Sequence, residues 1–472
     1  MTAEGVPQLP GALLDEASRA ARLLRSAESI LIITHIDADG ITAGSIAVET
    51  ARRLKKDYRI LFEKKITDVT VEMVNVSKED VVWICDLGSA YMSMFTRQSV
   101  IVTDHHVPDP DWRRGQSLLD AYDGKYQLNP HLYGHNGSYE VCGAGMTYLL
   151  SRIVDPANLD LAYLGVIGAV GDFQDQEGSL VSWNRIILQD AIAAGDVSID
   201  TGVRYFGRES RSVVQFLEYG DDPRIPGITG DRKACADFLK GLGIPDTADG
   251  EARTWIDLSA EEREKVASRI RELVPDGYSR LVGEVYTVNR YAPKSGMHDV
   301  KEFSTVLNSC GRYDDAETGL RICLGDASAL RDAERNRREH RRSISQALSF
   351  VRDNHLMRRR STLQYFDAGD TIRETVVGVV AGMILGSEDA DPGLPIFAFV
   401  RADDGIKVSA RAPRELSQAG LDLSALIHDA AEAVGGMGGG HSVAAGATIP
   451  EGSTEAFLDA AEGIIAAQLG KE

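Results

Sequence analysis

Ser29-Ile30-Leu31-Ile32-Ile33-Thr34-His35-Ile36-Asp37-Ala38-Asp39-Gly40 decides the fold of this chain. Its first six residues form an apolar run too short for a helix and rich in β-branched side chains, which predicts a buried strand. Residues of the metal-ligand type follow at once, and a helix is predicted from about residue 42 to 54. A strand that ends in polar residues and turns into a helix is one unit of an α/β sheet, with its chemistry at the carboxyl end of the strand.

Outward from that stretch the alternation repeats. Helical spacing runs from residue 13 to 27, strands are predicted over 81–85 and 99–103, and a helix of small and apolar residues over about 159–170. The fold class is therefore α/β with a parallel N-terminal sheet. Asp86 and Asp104-His105-His106 also stand directly after predicted strands. From about 195 to 360 the pattern becomes helical and mixed. A final α/β region holds strand-like segments at 394–400 and 407–413 and the glycine cluster Gly435-Gly436-Met437-Gly438-Gly439-Gly440 before His441. The expected division is 1–195, 196–360 and 361–472, in keeping with 472 residues being too many for one hydrophobic core.

A net charge of -20, from 51 basic and 71 acidic residues, excludes a uniformly basic surface for nucleic acid. Any polyanion site must be local, and divalent cations can supply part of its positive charge. The one strong local contrast lies between residues 331 and 360, where ten arginines face four acidic residues, a net of +6. Such a run is more often a solvated helix face than a nucleic-acid groove. Cys85, Cys142, Cys235, Cys310 and Cys323 are scattered and form no C-x-x-C pair, which favours a reducing compartment. No stretch approaches the roughly 18 apolar residues of a membrane span, and no basic-then-apolar leader opens the chain. The expectation is a cytoplasmic protein with no membrane partner.

Carboxylates and imidazoles gathered at strand ends oppose one another's ionisation unless something positive compensates them. Divalent cations are the simplest compensation. Mostly oxygen ligands with a minority of nitrogen suit manganese, with magnesium the other fit, better than zinc. Two such ions roughly 3.5–4 Å apart activate water and stabilise the leaving oxygen of a phosphoester, so hydrolysis is the implied reaction. A lone Asp-x-Asp could be a helix cap, since Asp favours that position. The neighbouring His35 and the two further strand-end clusters argue against that reading alone.

Four ordered motifs, His35-Ile36-Asp37-Ala38-Asp39-Gly40, the Asp86 of Cys85-Asp86-Leu87-Gly88, Asp104-His105-His106 and the Asp172 of Gly171-Asp172, resemble the DHH phosphoesterase superfamily. Gly439-Gly440-His441 before Ala444-Ala445-Gly446 resembles the signature of the accompanying DHHA1 domain, and Ser409-Ala410-Arg411 its preceding strand. The resemblance implies one metal held by His35, Asp37 and Asp86 and a second by Asp39, Asp86, His105 and Asp172, with Asp86 bridging. It further implies that Asp104 orients the histidine pair, that His106 meets the phosphate, and that Ser409, Arg411, Gly439, Gly440 and His441 contact the nucleic-acid backbone. Cys142-Gly143-Ala144-Gly145 resembles a helix start that could bind a second phosphate or simply be capped.

Residues 302–312 are similar to a stretch of archaeal RecJ-type nucleases, and Gly378-Val379-Val380-Ala381 to a segment of RecJ proteins generally. An exonuclease on single-stranded DNA or RNA is implied, in replication or repair, with short oligonucleotides as the alternative substrate. Archaeal relatives associate with a GINS-type replication complex, and a eukaryotic relative lacks a complete metal set, so a non-enzymatic scaffold is the contrasting reading. A haloacid-dehalogenase-like phosphatase wants threonine four residues after its first aspartate. Thr42 lies five after Asp37, and that reading leaves Asp104-His105-His106 unused.

Overall fold

The computed structural model describes residues 7–112, 124–220, 222–326 and 328–470. The chain divides into two compact units, residues 1–336 and 337–472.

In the first unit β1 (Ser29–His35), β2 (Asp57–Glu63), β3 (Val81–Cys85), β4 (Val100–Thr103) and β5 (Lys125–Leu128) form a parallel sheet in the order β2-β1-β3-β4-β5. Helices α1 (Gly11–Ser26), α2 (Ala38–Arg53), α3 (Asp68–Val76), α4 (Gly143–Val154) and α5 (Ala162–Gly171) surround it. Ile30, Ile32, Val81, Trp83, Cys85 and Ile101 join one core with α1, α2, α4 and α5. Leu31, Ile33, Val82, Ile84, Val100 and Val102 join another with Val71 and Val74 of α3. Both faces are covered, which is why the central strands read as continuous apolar runs rather than alternating ones. Each such side chain contributes about 1.5–3 kcal/mol by burial.

Strand order sets the position of the site. The chain passes from β1 to β2 on one side and then returns to β3 on the other, so the winding reverses between β1 and β3. A crevice opens beyond the carboxyl ends of the strands at such a reversal. His35 ends β1, and Asp86 follows β3.

Helix α2 begins at Ala38, four residues ahead of the sequence expectation, because the Asp37 carboxylate accepts the Gly40 N–H at 2.9 Å and caps it. Asp39 is thereby carried into the first turn. Further along, β6 (Val197–Val203) pairs antiparallel with the strand Val282–Val288. Between them lies a small helical core of its own, including Phe216, Cys235, Trp255 and Ile270.

A mixed sheet of six strands forms the second unit, and in it Ile396–Ala402, Gly405–Arg411, Ala444–Ile449 and Met437–His441 lie side by side. The expected strand segments fall in place. The end of the glycine cluster, from Met437, forms an edge strand with His441: Met437–His441 pairs residue by residue with Ala444–Thr448. A Cβ on Gly438 would stand 2.7 Å from Ile427 Cγ2 and 2.8 Å from Ala447 Cβ, so the strand needs glycine to pack there. Among the described residues no helix is long and apolar enough to cross a membrane.

Candidate metal centre

The reversal point of the first unit gathers all six residues expected to hold metal. His35, Asp37 and Asp86 form one group of converging ligand atoms, and Asp39, His105 and Asp172 another, with the atoms of each within 4.8 Å of one another. His35 Nδ1 lies 3.0 Å from Asp37 Oδ2 and 3.6 Å from Asp86 Oδ2. His105 Nε2 lies 3.3 Å from Asp86 Oδ1 and 3.7 Å from Asp39 Oδ2. Asp86 thus presents one oxygen to each group. It is 1% exposed and sits at φ 58, a left-handed conformation rare outside glycine, and its Oδ1 meets no aligned hydrogen-bond donor. A buried carboxylate oxygen with no aligned donor is costly unless a cation completes it. The residues fit two divalent ions.

Hydrogen bonds fix which nitrogen each histidine offers. His105 Nδ1 stands 2.7 Å from the Gly137 carbonyl, an acceptor only, so this nitrogen carries a proton and Nε2 is the nitrogen that faces the carboxylates. Asp104 Oδ1 accepts the backbone N–H of His105 at 2.7 Å and of His106 at 3.2 Å, and lies 2.8 Å from His106 Nδ1. Its Oδ2 accepts the Ser89 N–H at 2.9 Å. The His106 side chain is 56% exposed, and Nδ1 is the nitrogen engaged by Asp104. Burial and the neighbouring Asp86 push the Asp39 carboxyl well above the usual carboxylate range. Burial alone would lower the His105 pKa, but Asp172 and Asp86 drive it up. The His105 shift records the surrounding negative charge, and the Asp39 shift its burial first and that charge second.

The start of α4 has a different job from the anion site contemplated in the sequence. The Gly143 and Ala144 N–H groups donate to Asp39 at 2.7 and 2.9 Å, so the helix terminus holds a carboxylate of the candidate metal cluster rather than a free phosphate. Gly143 must be glycine, since a Cβ there would stand 2.4 Å from Asp86 Oδ1. A Cβ on Gly168 of α5 would likewise lie 2.4 Å from Asp39 Oδ1.

One wall of the site comes from far along the chain, and the sequence did not reveal its role. The helix Val300–Arg312 packs so close that a Cβ on Gly311 would stand 1.8 Å from the Ile36 carbonyl oxygen. Asn308 Oδ1 accepts the Ala38 N–H at 2.9 Å. Arg312 lies within the field of Asp37, although burial depresses its pKa. These residues belong to the stretch 302–312 already singled out, but only their contacts with β1 and α2 tie them to the metal site.

In the second unit, Arg411 pairs with Ala444, which pairs in turn with His441; Ser409 pairs with Gly446, and Gly446 with Gly439. Directly opposed residues share a face. Ser409, Arg411 and His441 therefore stand on one side of the sheet, Arg411 and His441 on the order of 10 Å apart across two strand spacings. Gly439 and Gly446 leave the backbone between them bare. A Cβ on Gly378 would stand 2.7 Å from Arg411 Nη2, so this glycine makes room for the guanidinium. The arginine-rich run contributes differently. Arg352 and Arg359 pair with Asp389 and Asp391, and Arg360 with Glu455, Asp459 and Glu462, while the side chain of Arg337 lies outside the described residues.

Three family models match the chain: the DHH family N-terminal domain over residues 29–166, the DHH-CID domain over 205–281 and the DHHA1 domain over 361–467. An uncharacterized protein of Methanocaldococcus jannaschii is 26% identical over 447 residues, covering 93% of this chain and 94% of the relative. RecJ from Thermus thermophilus in complex with Mn2+ superimposes with a TM-score of 0.59 at 18% identity, over 98% of this chain and 56% of that one. Its Mg2+ complex gives 0.54. CDC45 from Entamoeba histolytica gives 0.61 at 10% identity, over 97% and 99% of the two chains. The chain spans just over half the length of that RecJ, and at these identities the likeness is one of fold.

Proposed function

We propose that this chain, which matches the DHH, DHH-CID and DHHA1 models in that order, is a two-metal phosphodiesterase that acts as an exonuclease on single-stranded DNA or RNA. Asp86 carries the reading. One buried carboxylate with an oxygen turned to each of two ligand groups, and no donor aligned on Oδ1, is suited to bridging two cations. His35, Asp37 and Asp86 would hold one ion, and Asp39, Asp86, His105 and Asp172 the other, manganese first and magnesium next. When bound, the ions supply Lewis acidity toward the phosphate and a nucleophile at neutral pH.

The chain's own groups do the positioning. Gly137 holds the His105 tautomer, and the α4 terminus holds Asp39. Asp104 grips His106 through Nδ1, so Nε2 is the nitrogen that can donate to a phosphate oxygen or to the leaving group. Ser409, Arg411, Gly439, Gly440 and His441 form the second contact, a shallow glycine-floored strip with a guanidinium and an imidazole beside it that suits backbone phosphates rather than bases. The labour divides as catalysis in 1–195, an inserted region in 196–360 and strand binding in 361–472. The shared CDC45-like frame supports a second reading, a replication scaffold, with a GINS-type complex as partner in either case. The complete ligand set favours the enzyme.

End-labelled single strands of DNA and RNA with Mn2+ test this. Cleavage from one terminus is expected, together with a rise in Tm on adding Mn2+, worth about 2.7 kcal/mol at 100 times Kd. Asp86→Ala should fold yet lose both responses. Cleavage at the wild-type rate by that variant would remove Asp86 from the bridge, and no cleavage by the intact protein at any salt would leave the scaffold reading.

A further inference from the structure

Helix α5 ends at Gly171 with Asp172 as its C-cap, and the chain reverses through a paired hydrogen-bond motif. The Phe173 N–H donates to the Val170 carbonyl at 3.1 Å and the Gln174 N–H to the Ala169 carbonyl at 2.9 Å. The residue at the head of such a turn must adopt a left-handed backbone, and glycine is its usual occupant. Here it is Phe173, at φ 59, with 65% of its surface exposed. A bulky side chain in that conformation is strained, and an exposed ring gains no burial in return. The fold itself has no use for this phenylalanine. Strain held beside a site is a reason to look for function.

The turn is clamped on both sides. Gln174 Nε2 donates to the Gly137 carbonyl at 2.8 Å and to Asp172 Oδ2 at 2.9 Å, Asn184 Nδ2 donates to Gln174 Oε1 at 2.6 Å, and Asp175 pairs with Arg204 in a buried ion pair. Gly137 is the same carbonyl that fixes His105. Phe173 is therefore held next to a metal ligand by the network that orders the site. Two further apolar side chains stand exposed next in sequence to other residues of the site, Tyr139 two residues after Gly137 and Val107 directly after His106.

We propose that Phe173 is a stacking platform for the base of the nucleotide whose phosphate occupies the metal centre, a proposal that rests on the phosphodiesterase reading. An aromatic face accepts every base, so the platform grips a nucleotide without reading its identity. It gives the site a preference for phosphodiesters that carry a base over those that do not. Because Phe173 directly follows Asp172 in the chain, the platform serves the reacting nucleotide rather than a distant part of the strand.

Oligonucleotides carrying 2-aminopurine at one terminus or the other, with a non-hydrolysable phosphorothioate linkage, report stacking on the full-length protein with Mn2+. Quenching of the fluorescence is expected at one terminus, lost in Phe173→Gly and restored in Phe173→Trp. With cleavable strands, Phe173→Gly should raise KM about tenfold at near-constant kcat, with no penalty on a strand whose terminal residue is abasic. The glycine variant relieves the left-handed strain, so its Tm should equal or exceed that of the wild type, which separates the effect from unfolding. Unchanged quenching and KM in Phe173→Gly, beside normal wild-type cleavage, overturn the platform and leave the phosphodiesterase reading intact. Phe173-dependent quenching without any cleavage keeps the platform and overturns that reading, and absence of both overturns both.

Discussion

Asp86 and Arg411 are the central charges of the two candidate surfaces, and their settings differ in every respect. Asp86 is sealed at the reversal point of a parallel sheet, in a left-handed backbone, under the start of α4. Arg411 is half-buried on one face of a mixed sheet, beside a strip whose floor is glycine. Anionic ligands that must sit within a few ångströms of one another need rigid, interlocked support, because each repels the next. A cation that meets a mobile polyanion needs access, and loses nothing when its neighbours are bare backbone. The same amino acid, glycine, serves both ends in opposite ways: Gly143 lets a helix press on a ligand, whereas Gly439 leaves open surface.

That contrast can be broken most sharply at the glycines. Gly143→Ala puts a Cβ 2.4 Å from Asp86 Oδ1 and 2.5 Å from Asp86 Cβ, so either α4 or the bridging carboxylate must move. A shift of that size should lower cleavage on the order of 10²-fold or more and abolish the Mn2+-induced rise in Tm. In Gly439→Ala the added methyl meets nothing within 4 Å, and stability should stay within about 0.5 kcal/mol of the wild type. Equal effects of the two, by nuclease assay and thermal melts, would erase the distinction between a clamped site and an open one.

A smaller effect is expected one step away from the metal ligands. Asp104 holds the backbone of both histidines, the His106 ring and the Ser89 N–H. Burial would raise its pKa, but His106 and His105 outweigh that and hold the carboxylate ionised. Asp104→Asn keeps the shape and loses the charge and one acceptor oxygen. Such changes behind a ligand set cost about 10–100-fold in activity. A variant with wild-type kcat would show that His106 is positioned by its own backbone and owes nothing to Asp104.

How far the sequence reveals each region follows from the range of the contacts that build it. The central strands were legible because burial on both faces leaves an unbroken apolar run, and most of the candidate metal residues because they stand at or just after the ends of such runs, Asp172 after the apolar helix α5 being the exception. The strand Asp57–Glu63 was not legible: it lies at the sheet edge, only part-buried, and its charged ends hide the period. The early start of α2 was masked because one side chain, Asp37, both caps the helix and turns its other oxygen toward His35. Asn308 and Gly311 lie some 270 residues from the strand end they support, so no local pattern could place them. Phe173 violates the local rule for its turn, and a violation is visible only once the backbone is known.

The mildest prediction concerns the second surface. On the proposed reading Arg411 would contribute to binding through charge near phosphates, and its neighbours Ser409 and His441 share that face, so no single group there would be indispensable. Arg411→Ala should weaken binding of long single strands about tenfold and reduce the salt dependence of log K by about one phosphate's worth. Dinucleotides, too short to extend beyond the reacting phosphodiester, should be cut at nearly the wild-type rate. Titrations of a dinucleotide and a long strand at several salt concentrations separate the two outcomes. A loss of the same size on both substrates, independent of salt, would mean that Arg411 supports the fold of its sheet through Gly378 rather than gripping a strand. The second surface would then resemble the first, a structural clamp instead of an open contact.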